Sequence, residues 1–372
     1  MKDFIPVNEP LLNGNEKKYL NECIDSGWIS SEGPFVEKFE TNFSKLVNRS
    51  YGIAVTNGTA AIDAVIQATN IKPGDEIILP AFTIISCVGQ IIRSGAKPVL
   101  VDCDPVTWNM NVDEIESKIT TKTRAIMVVH IYGLPVEMNK VMEIANRYNL
   151  LVIEDAAEVH GQKYKDKPCG SFGDISTFSF YPNKHITTGE GGMIVTNDSK
   201  LASRCRSIRN LCFKAEERFV HDEIGWNMRM TNIQAALGVA QLERIEEFIQ
   251  KKRNMGNLYN ELLKDLPNVQ KPLPKNESAE NIYWVYGLVI DSSLKITAKE
   301  VLKSLSARGI GCRPFFCPMN QQPVLKNIGL FKNEDYPEAD RLYKYGFYIP
   351  SGLAITEEQQ RKVATTLIEV LG

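Results

Sequence analysis

From about residue 50 to 200 the chain alternates short apolar runs with longer stretches at helical spacing, the pattern of an α/β unit built around a mainly parallel sheet. The expected strands are Gly52–Val55, Glu76–Pro80, Lys97–Asp102, Ala125–His130, Leu151–Asp155, Ile175–Phe178 and Met193–Thr196. Several of them are apolar without alternation, as strands covered on both faces should be. Helices are expected at Thr59–Thr69, Ile84–Ser94 and Met138–Tyr148, and Pro73-Gly74-Asp75 and Ser94-Gly95-Ala96 punctuate two strand starts.

After residue 230 the pattern changes. Asn232–Leu263 carries apolar positions near helical spacing with Glu243, Arg244, Glu246 and Glu247 between them, and predicts one long connecting helix. Pro272, Pro274 and the polar run Lys275–Glu280 mark a loop, followed by an expected strand at Tyr283–Ile290 and a helix at Ala298–Arg308. The expected organisation is a large α/β domain over residues 1–244 and a smaller α+β domain over 245–372, with the N-terminal residues packing against the small one. A length of 372 residues suits two cores.

Composition narrows the partners. Lys plus Arg at 43 against Asp plus Glu at 45 leaves a formal charge of -2, so no strong field favours nucleic acid or an anionic membrane. The start, Met1 to Pro6, lacks the apolar stretch of a signal peptide, and no segment approaches the roughly 20 apolar residues of a membrane span, so a cytoplasmic location is expected. Eight dispersed cysteines without a Cys-x-x-Cys or a neighbouring His at ligand spacing predict free, mostly buried thiols and no metal centre.

Three segments carry chemistry. Val55-Thr56-Asn57-Gly58-Thr59-Ala60 is a strand end, a glycine turn and a helix start, where free N–H groups, Gly58 and the Thr59 hydroxyl can cradle a phosphate; Thr59 as a plain N-cap fits the same residues. Leu151–Glu158 is an apolar strand ending in Glu154-Asp155, and a carboxylate at such a strand end faces the ligand crevice of an open α/β sheet. Asp155 there can hold a pyridine nitrogen protonated, although an Asp capping a helix or paired with a Lys fits equally. Third, Ser176–Phe180 runs into a loop carrying Lys184 and returns through Gly189, Gly191 and Gly192. A loop lysine alone is an ordinary surface charge. Beside a cationic cofactor, a desolvated lysine loses its proton and becomes a nucleophile for an aldehyde, with Ser179 placed to offer a hydroxyl to the cofactor phosphate.

With these motifs in this order, the chain resembles the DegT/DnrJ/EryC1/StrS sugar aminotransferases, fold-type I (aspartate aminotransferase-like) enzymes that use pyridoxal phosphate (PLP). Gly27–Pro34 looks like the N-terminal signature, Thr56–Ala60 the phosphate turn, Glu154–Glu158 the cofactor strand, and Ser179–Lys184 with Gly189–Gly192 the lysine loop. The resemblance implies that Lys184 bonds to the cofactor aldehyde, that Asp155 pairs with the pyridine nitrogen and that Gly58, Thr59 and Ser179 bind the phosphate. It places Glu158 near the cofactor 3-hydroxyl. Gly225–Met230 resembles a loop inserted into the partner subunit's site, so Asn227 is expected to reach the phosphate in trans of a homodimer. Trp28, Ser30, Arg229 and Arg313 are the expected substrate residues, the two arginines as diphosphate ligands or as members of ordinary salt bridges. Many relatives have an aromatic residue stacked on the cofactor where this chain has Ile84, with Phe82 a weak substitute. His160 and His185 fit either a site role or that of a hydrogen-bonded structural histidine.

Related dehydratases carry histidine at the lysine position, so Lys184 points to transamination. The resemblance implies L-glutamate as amino donor and a nucleotide-linked 4-keto-6-deoxy sugar as acceptor. Phe180–Met193 and Arg313–Pro318 look most like the branch that aminates GDP-4-keto-6-deoxymannose at C4, with UDP- and dTDP-linked sugars as competitors. A 3-dehydratase on the same fold, or a non-enzymatic regulator, are the contrasting readings.

Overall fold

The strands form where the apolar runs allow burial on both faces, and Glu76–Pro80 is covered along its whole length. The computed structural model describes residues 4–371, so residues 1–3 of the Met1 to Pro6 segment and the last residue of the expected second domain lie outside it. Its strands are β1 (Tyr51–Val55), β2 (Glu76–Pro80), β3 (Lys97–Val101), β4 (Thr123–Val129), β5 (Leu151–Asp155), the short β6 (Lys163–Tyr164) and β7 (Lys167–Pro168), β8 (Ile175–Ser179), β9 (Gly192–Thr196), β10 (Val269–Gln270), β11 (Tyr286–Ile290), β12 (Arg313–Pro314) and β13 (Gly346–Ile349). Its α-helices are α1 (Glu16–Ser26), α2 (Pro34–Leu46), α3 (Gly58–Ala68), α4 (Ile85–Arg93), α5 (Met138–Tyr148), α6 (Ser199–Arg209), α7 (Asn232–Leu242), α8 (Ile245–Leu262), α9 (Ala298–Ala307), α10 (Pro323–Asn327), α11 (Pro337–Tyr345) and α12 (Glu357–Leu371).

Seven strands form the main sheet in the order β1-β9-β8-β5-β4-β2-β3. Only β9 runs antiparallel to its neighbours. The period of two along each strand sends alternate residues to opposite faces. Ile53 and Val55 of β1 thus join one apolar cluster with α3, α4 and α6, whereas Ala54 joins another with α2, α5 and α7. This mainly parallel mixed sheet between helical layers is the expected fold-type I architecture.

A second sheet, β10-β11-β13-β12, is wholly antiparallel and packs with α8, α9 and α12 around a third cluster. Ile5 lies in that cluster and forms a parallel bridge with Ile310. The expected single helix over 232–263 is two helices, because the chain turns at Glu243-Arg244, where the Arg244 N–H bonds back only three residues to Gln241. Ile245, Phe248 and Ile249 of α8 pack with the main sheet, whereas Met255 and Tyr259 pack with the second. We propose that the two domains divide near 244/245 and share α8. The strand expected from Tyr283 begins only at Tyr286, since Tyr283 has a φ of 46° that breaks the pleat.

Candidate active site

Because β1, β2, β5 and β8 run the same way, their C-terminal ends open on one edge of the sheet, and a cavity of about 540 Å³ lies there. It is lined by Gly58, Thr59, Asp155, Glu158, Ser179 and Lys184, so the six expected cofactor residues of the three sequence segments meet in one place.

The turn from β1 into α3 is shaped by two glycines. A Cβ on Gly58 would lie 2.8 Å from the Ser179 Cβ, and one on Gly192 would lie 2.4 Å from the Asn57 carbonyl oxygen. Only glycine therefore lets the α3 N-terminus approach the end of β8. Asn57, not Thr59, is the N-cap, its side chain accepting from the Ala60 N–H at 2.8 Å. The Thr59 hydroxyl is instead 3.0 Å from the Ser86 hydroxyl, and both residues line the cavity. The first-turn N–H groups of Gly58 and Thr59 have no protein acceptor among the described residues, and that turn contains no acidic side chain. An oxyanion is the natural complement.

Asp155 is 4% exposed at the end of β5. One carboxylate oxygen accepts from the Ala157 N–H at 3.1 Å and the other from the Cys87 thiol at 3.4 Å, and no cation is paired with it among the described residues. Burial raises its pKa, with these donors and Lys184 opposing.

The lysine loop turns tightly, with the Lys184 N–H donating to the Tyr181 carbonyl at 2.9 Å. The Lys184 side chain is nine-tenths buried, its Nζ 3.6 Å from Glu158 Oε1 and 3.8 Å from the centre of the Trp284 ring. Burial lowers the pKa of Lys184 against the opposing pull of Glu158 and Asp155. Glu158, held by the Tyr132 N–H at 2.9 Å, is pushed up to about 7 by burial. Both partners are thus drawn toward neutrality, the condition a nucleophilic amine requires.

These groups fit pyridoxal phosphate: an oxyanion cradle at α3 and β8, a buried carboxylate lacking a cation for the ring nitrogen, and an amine of lowered pKa for the aldehyde. Ile84 lines the cavity and offers apolar contact without a ring. Phe82 does not substitute, because it is fully buried with its ring 5.7–5.9 Å from those of Tyr132, Phe315 and Phe316.

The other expected residues lie elsewhere. Trp28, Ser30 and Arg229 line a separate cavity of about 830 Å³ together with Arg206, Arg209 and Arg218. Asn227 is exposed and bridges to Asn210, whose side chain accepts from Arg229. Arg313 is exposed on β12, in register with Tyr348, which lines the lysine cavity. His160 is fully buried among Phe43, Phe178 and Phe180. Burial lowers its pKa to about 3, leaving it neutral. His185 is equally buried and donates Nε2–H to the Ile282 carbonyl at 3.3 Å.

Sequence reasoning missed Ser86, Cys87 and Trp284. Ser86 and Cys87 sit in the first turn of the expected helix after Ile84, where helix-start logic could have found them. Trp284 was hidden inside an expected strand. The eight cysteines are free and six are buried. His130, Glu154 and Cys169 come together beneath the sheet, but His130 Nε2 and Glu154 Oε1 are spent on each other at 3.0 Å.

The sequence profile of the DegT/DnrJ/EryC1/StrS aminotransferase family matches residues 10–368. GDP-perosamine synthase from Escherichia coli O157:H7 is 43% identical over 96% of this chain and 95% of its own length. GDP-perosamine synthase from Caulobacter vibrioides is 41% identical over 99% of this chain and 98% of its own. Among solved structures, Helicobacter pylori PseC, an aminotransferase involved in the biosynthesis of pseudoaminic acid, superposes with a TM-score of 0.94 at 25% identity, covering 99% of both chains. With its lysine, strand-end aspartate and phosphate turn gathered in one cavity, the chain belongs to the DegT/DnrJ/EryC1/StrS aminotransferase family and uses pyridoxal phosphate as its cofactor.

Proposed function

We propose that the protein transfers the amino group of L-glutamate to C4 of a nucleotide-linked 4-keto-6-deoxy sugar, with GDP-4-keto-6-deoxymannose as acceptor and GDP-perosamine as product. The observation that carries this is Lys184, an amine rather than a histidine, buried against Glu158 beside a cation-free Asp155 in a chain so similar to two GDP-perosamine synthases.

Bound PLP supplies an electrophilic aldehyde and a protonated pyridine that draws electrons from the carbon bearing the transferred amine. Asp155 would hold the proton on that ring nitrogen. The Gly58 and Thr59 N–H groups with the Ser179 and Thr59 hydroxyls would hold the phosphate, with Glu158 near the 3-hydroxyl. Lys184 would be the nucleophile for the aldehyde. Its freed Nζ would move the proton between the substrate carbon and the cofactor carbon, as base and then acid. Donor and acceptor occupy one cavity in turn, so initial-rate plots should show ping-pong kinetics.

A homodimer with shared sites is part of this reading. Trp28, Ser30 and Arg229 line a basic cavity away from Lys184 together with exposed Ile29 and Phe219, which supports their use, with Asn227, in the site of a second copy. Arg229 and Arg313 are then diphosphate ligands. A cytoplasmic location is proposed as well; no helix among the described residues is long and apolar enough to cross a membrane.

The test is mass spectrometry of products after incubation with L-glutamate and GDP-, UDP- or dTDP-linked 4-keto-6-deoxy sugars. Amino-sugar formation fastest with the GDP sugar is expected. A deoxy product without an amino sugar would replace transamination by dehydration, and preference for another nucleotide would overturn the GDP assignment.

A further inference from the structure

The Lys184 ammonium has two neighbours in the cavity, and only one of them can accept its proton. Glu158 Oε1 lies at 3.6 Å, and a buried carboxylate beside a buried ammonium invites proton transfer that neutralises both. The other neighbour is the face of Trp284, whose ring centre is 3.8 Å from Nζ. An indole face stabilises a cation through its quadrupole without offering a proton acceptor.

The indole is fixed from several sides. Its Nε1–H donates to the carbonyl of Asn183, the residue preceding Lys184, at 2.7 Å. The Trp284 backbone carbonyl accepts from the buried Lys252 Nζ at 2.8 Å, and Lys252 also donates to the Ser351 carbonyl. Tyr132 packs against it with ring centres 5.6 Å apart. Moving the ring away from Lys184 would break the bond from Nε1–H to the Asn183 carbonyl.

We propose that Trp284 is a positioning residue for Lys184: its ring face holds the Nζ inside the cavity and favours its protonated form when that amine is not bonded to the cofactor. This rests on the reading of Lys184 as the nucleophilic amine. A released lysine that has taken a proton from a carbon is held in this way until it delivers that proton. The groups that face Lys184 or bear on its charge are Glu158 and Asp155 from the end of β5, Cys87 from α4, and the buried neutral His160 and His185. Among the described residues, only Glu158 and Trp284 are within 4 Å of the charge as an ion pair or ring contact.

The test uses full-length protein resolved of its cofactor, given PLP at stepped pH, reduced with borohydride, and read by peptide mass spectrometry at Lys184. Trp284 favours the protonated amine, so its loss lowers the pH at which the amine becomes reactive. W284L, which keeps the site apolar, should move the capture midpoint down by about 0.5–1.5 pH units. W284F, which retains a ring, should restore more than half of that shift. An unchanged midpoint in W284L overturns the proposal while Lys184 remains the nucleophile. Absence of cofactor on Lys184 in the unaltered protein overturns the underlying reading instead. A second measurement does not depend on how W284L folds: tryptophan fluorescence of the cofactor-free protein should titrate with that same midpoint and lose the transition in K184M. A transition that persists in K184M, or is missing from the unaltered protein, contradicts the proposal.

Discussion

Glu154 and Asp155 are consecutive carboxylates at the end of one strand, and the pleat sends them into opposite worlds. Glu154 is fully buried on the side of the 170–176 turn, where it accepts from His130, the Gly170, Phe172 and Gly173 N–H groups and the Ser176 hydroxyl. His130 takes the Val136 N–H on Nδ1, which leaves its Nε2 protonated to donate. Burial alone would raise the Glu154 pKa, yet these donors outweigh it and the net shift is downward. Asp155 is just as enclosed but receives one N–H and one thiol, and its pKa rises. A saturated buried carboxylate organises structure, whereas an unsaturated one is prepared for a ligand.

Paired substitutions can break that contrast. D155N should leave the unfolding midpoint in denaturant nearly unchanged and cut turnover on the order of 10²-fold or more, because a neutral amide cannot keep the ring nitrogen protonated. E154Q should do the reverse. Its amide group would face N–H donors, costing about 2–4 kcal/mol in denaturant unfolding, with turnover per folded molecule within a few-fold of the parent. If E154Q lost activity without losing stability, the two carboxylates would not divide the roles in this way.

A smaller effect sharpens the cavity side of the comparison. Ser86 shares a hydroxyl contact with Thr59 at the phosphate cradle, so S86A should weaken PLP affinity by about 2–10-fold, the value of one ordinary hydrogen bond. Fluorescence titration of cofactor binding would measure it. An unchanged affinity would remove Ser86 from the cradle.

The seven strands of the main sheet were legible within two residues at each end because both faces of each strand had to be apolar. The site core was legible for a related reason: parallel strands bring their ends together, so Gly58, Asp155 and Lys184 converge once each is assigned to a strand end. What the sequence hid depended on geometry between distant segments. Trp284 reaches Lys184 from a hundred residues away, and Cys87 reaches Asp155 from the first turn of α4. No local pattern marks either contact. Phe82 and Ile84 show the same limit at short range, since which of the two faces the cavity is decided by the bends at residues 81–83 after β2. Trp28 and Arg229 were assigned to the substrate by motif, yet their own chain places them in another cavity.

The role of Lys184 is tested most directly by one half of the proposed reaction. K184A loaded with PLP and mixed with L-glutamate would be followed by visible absorbance, with the unaltered protein alongside. Conversion slower by about 10²–10⁴-fold is predicted, the usual value of a positioned proton carrier. Conversion within tenfold of the unaltered protein would contradict the assignment of the chemistry to Lys184.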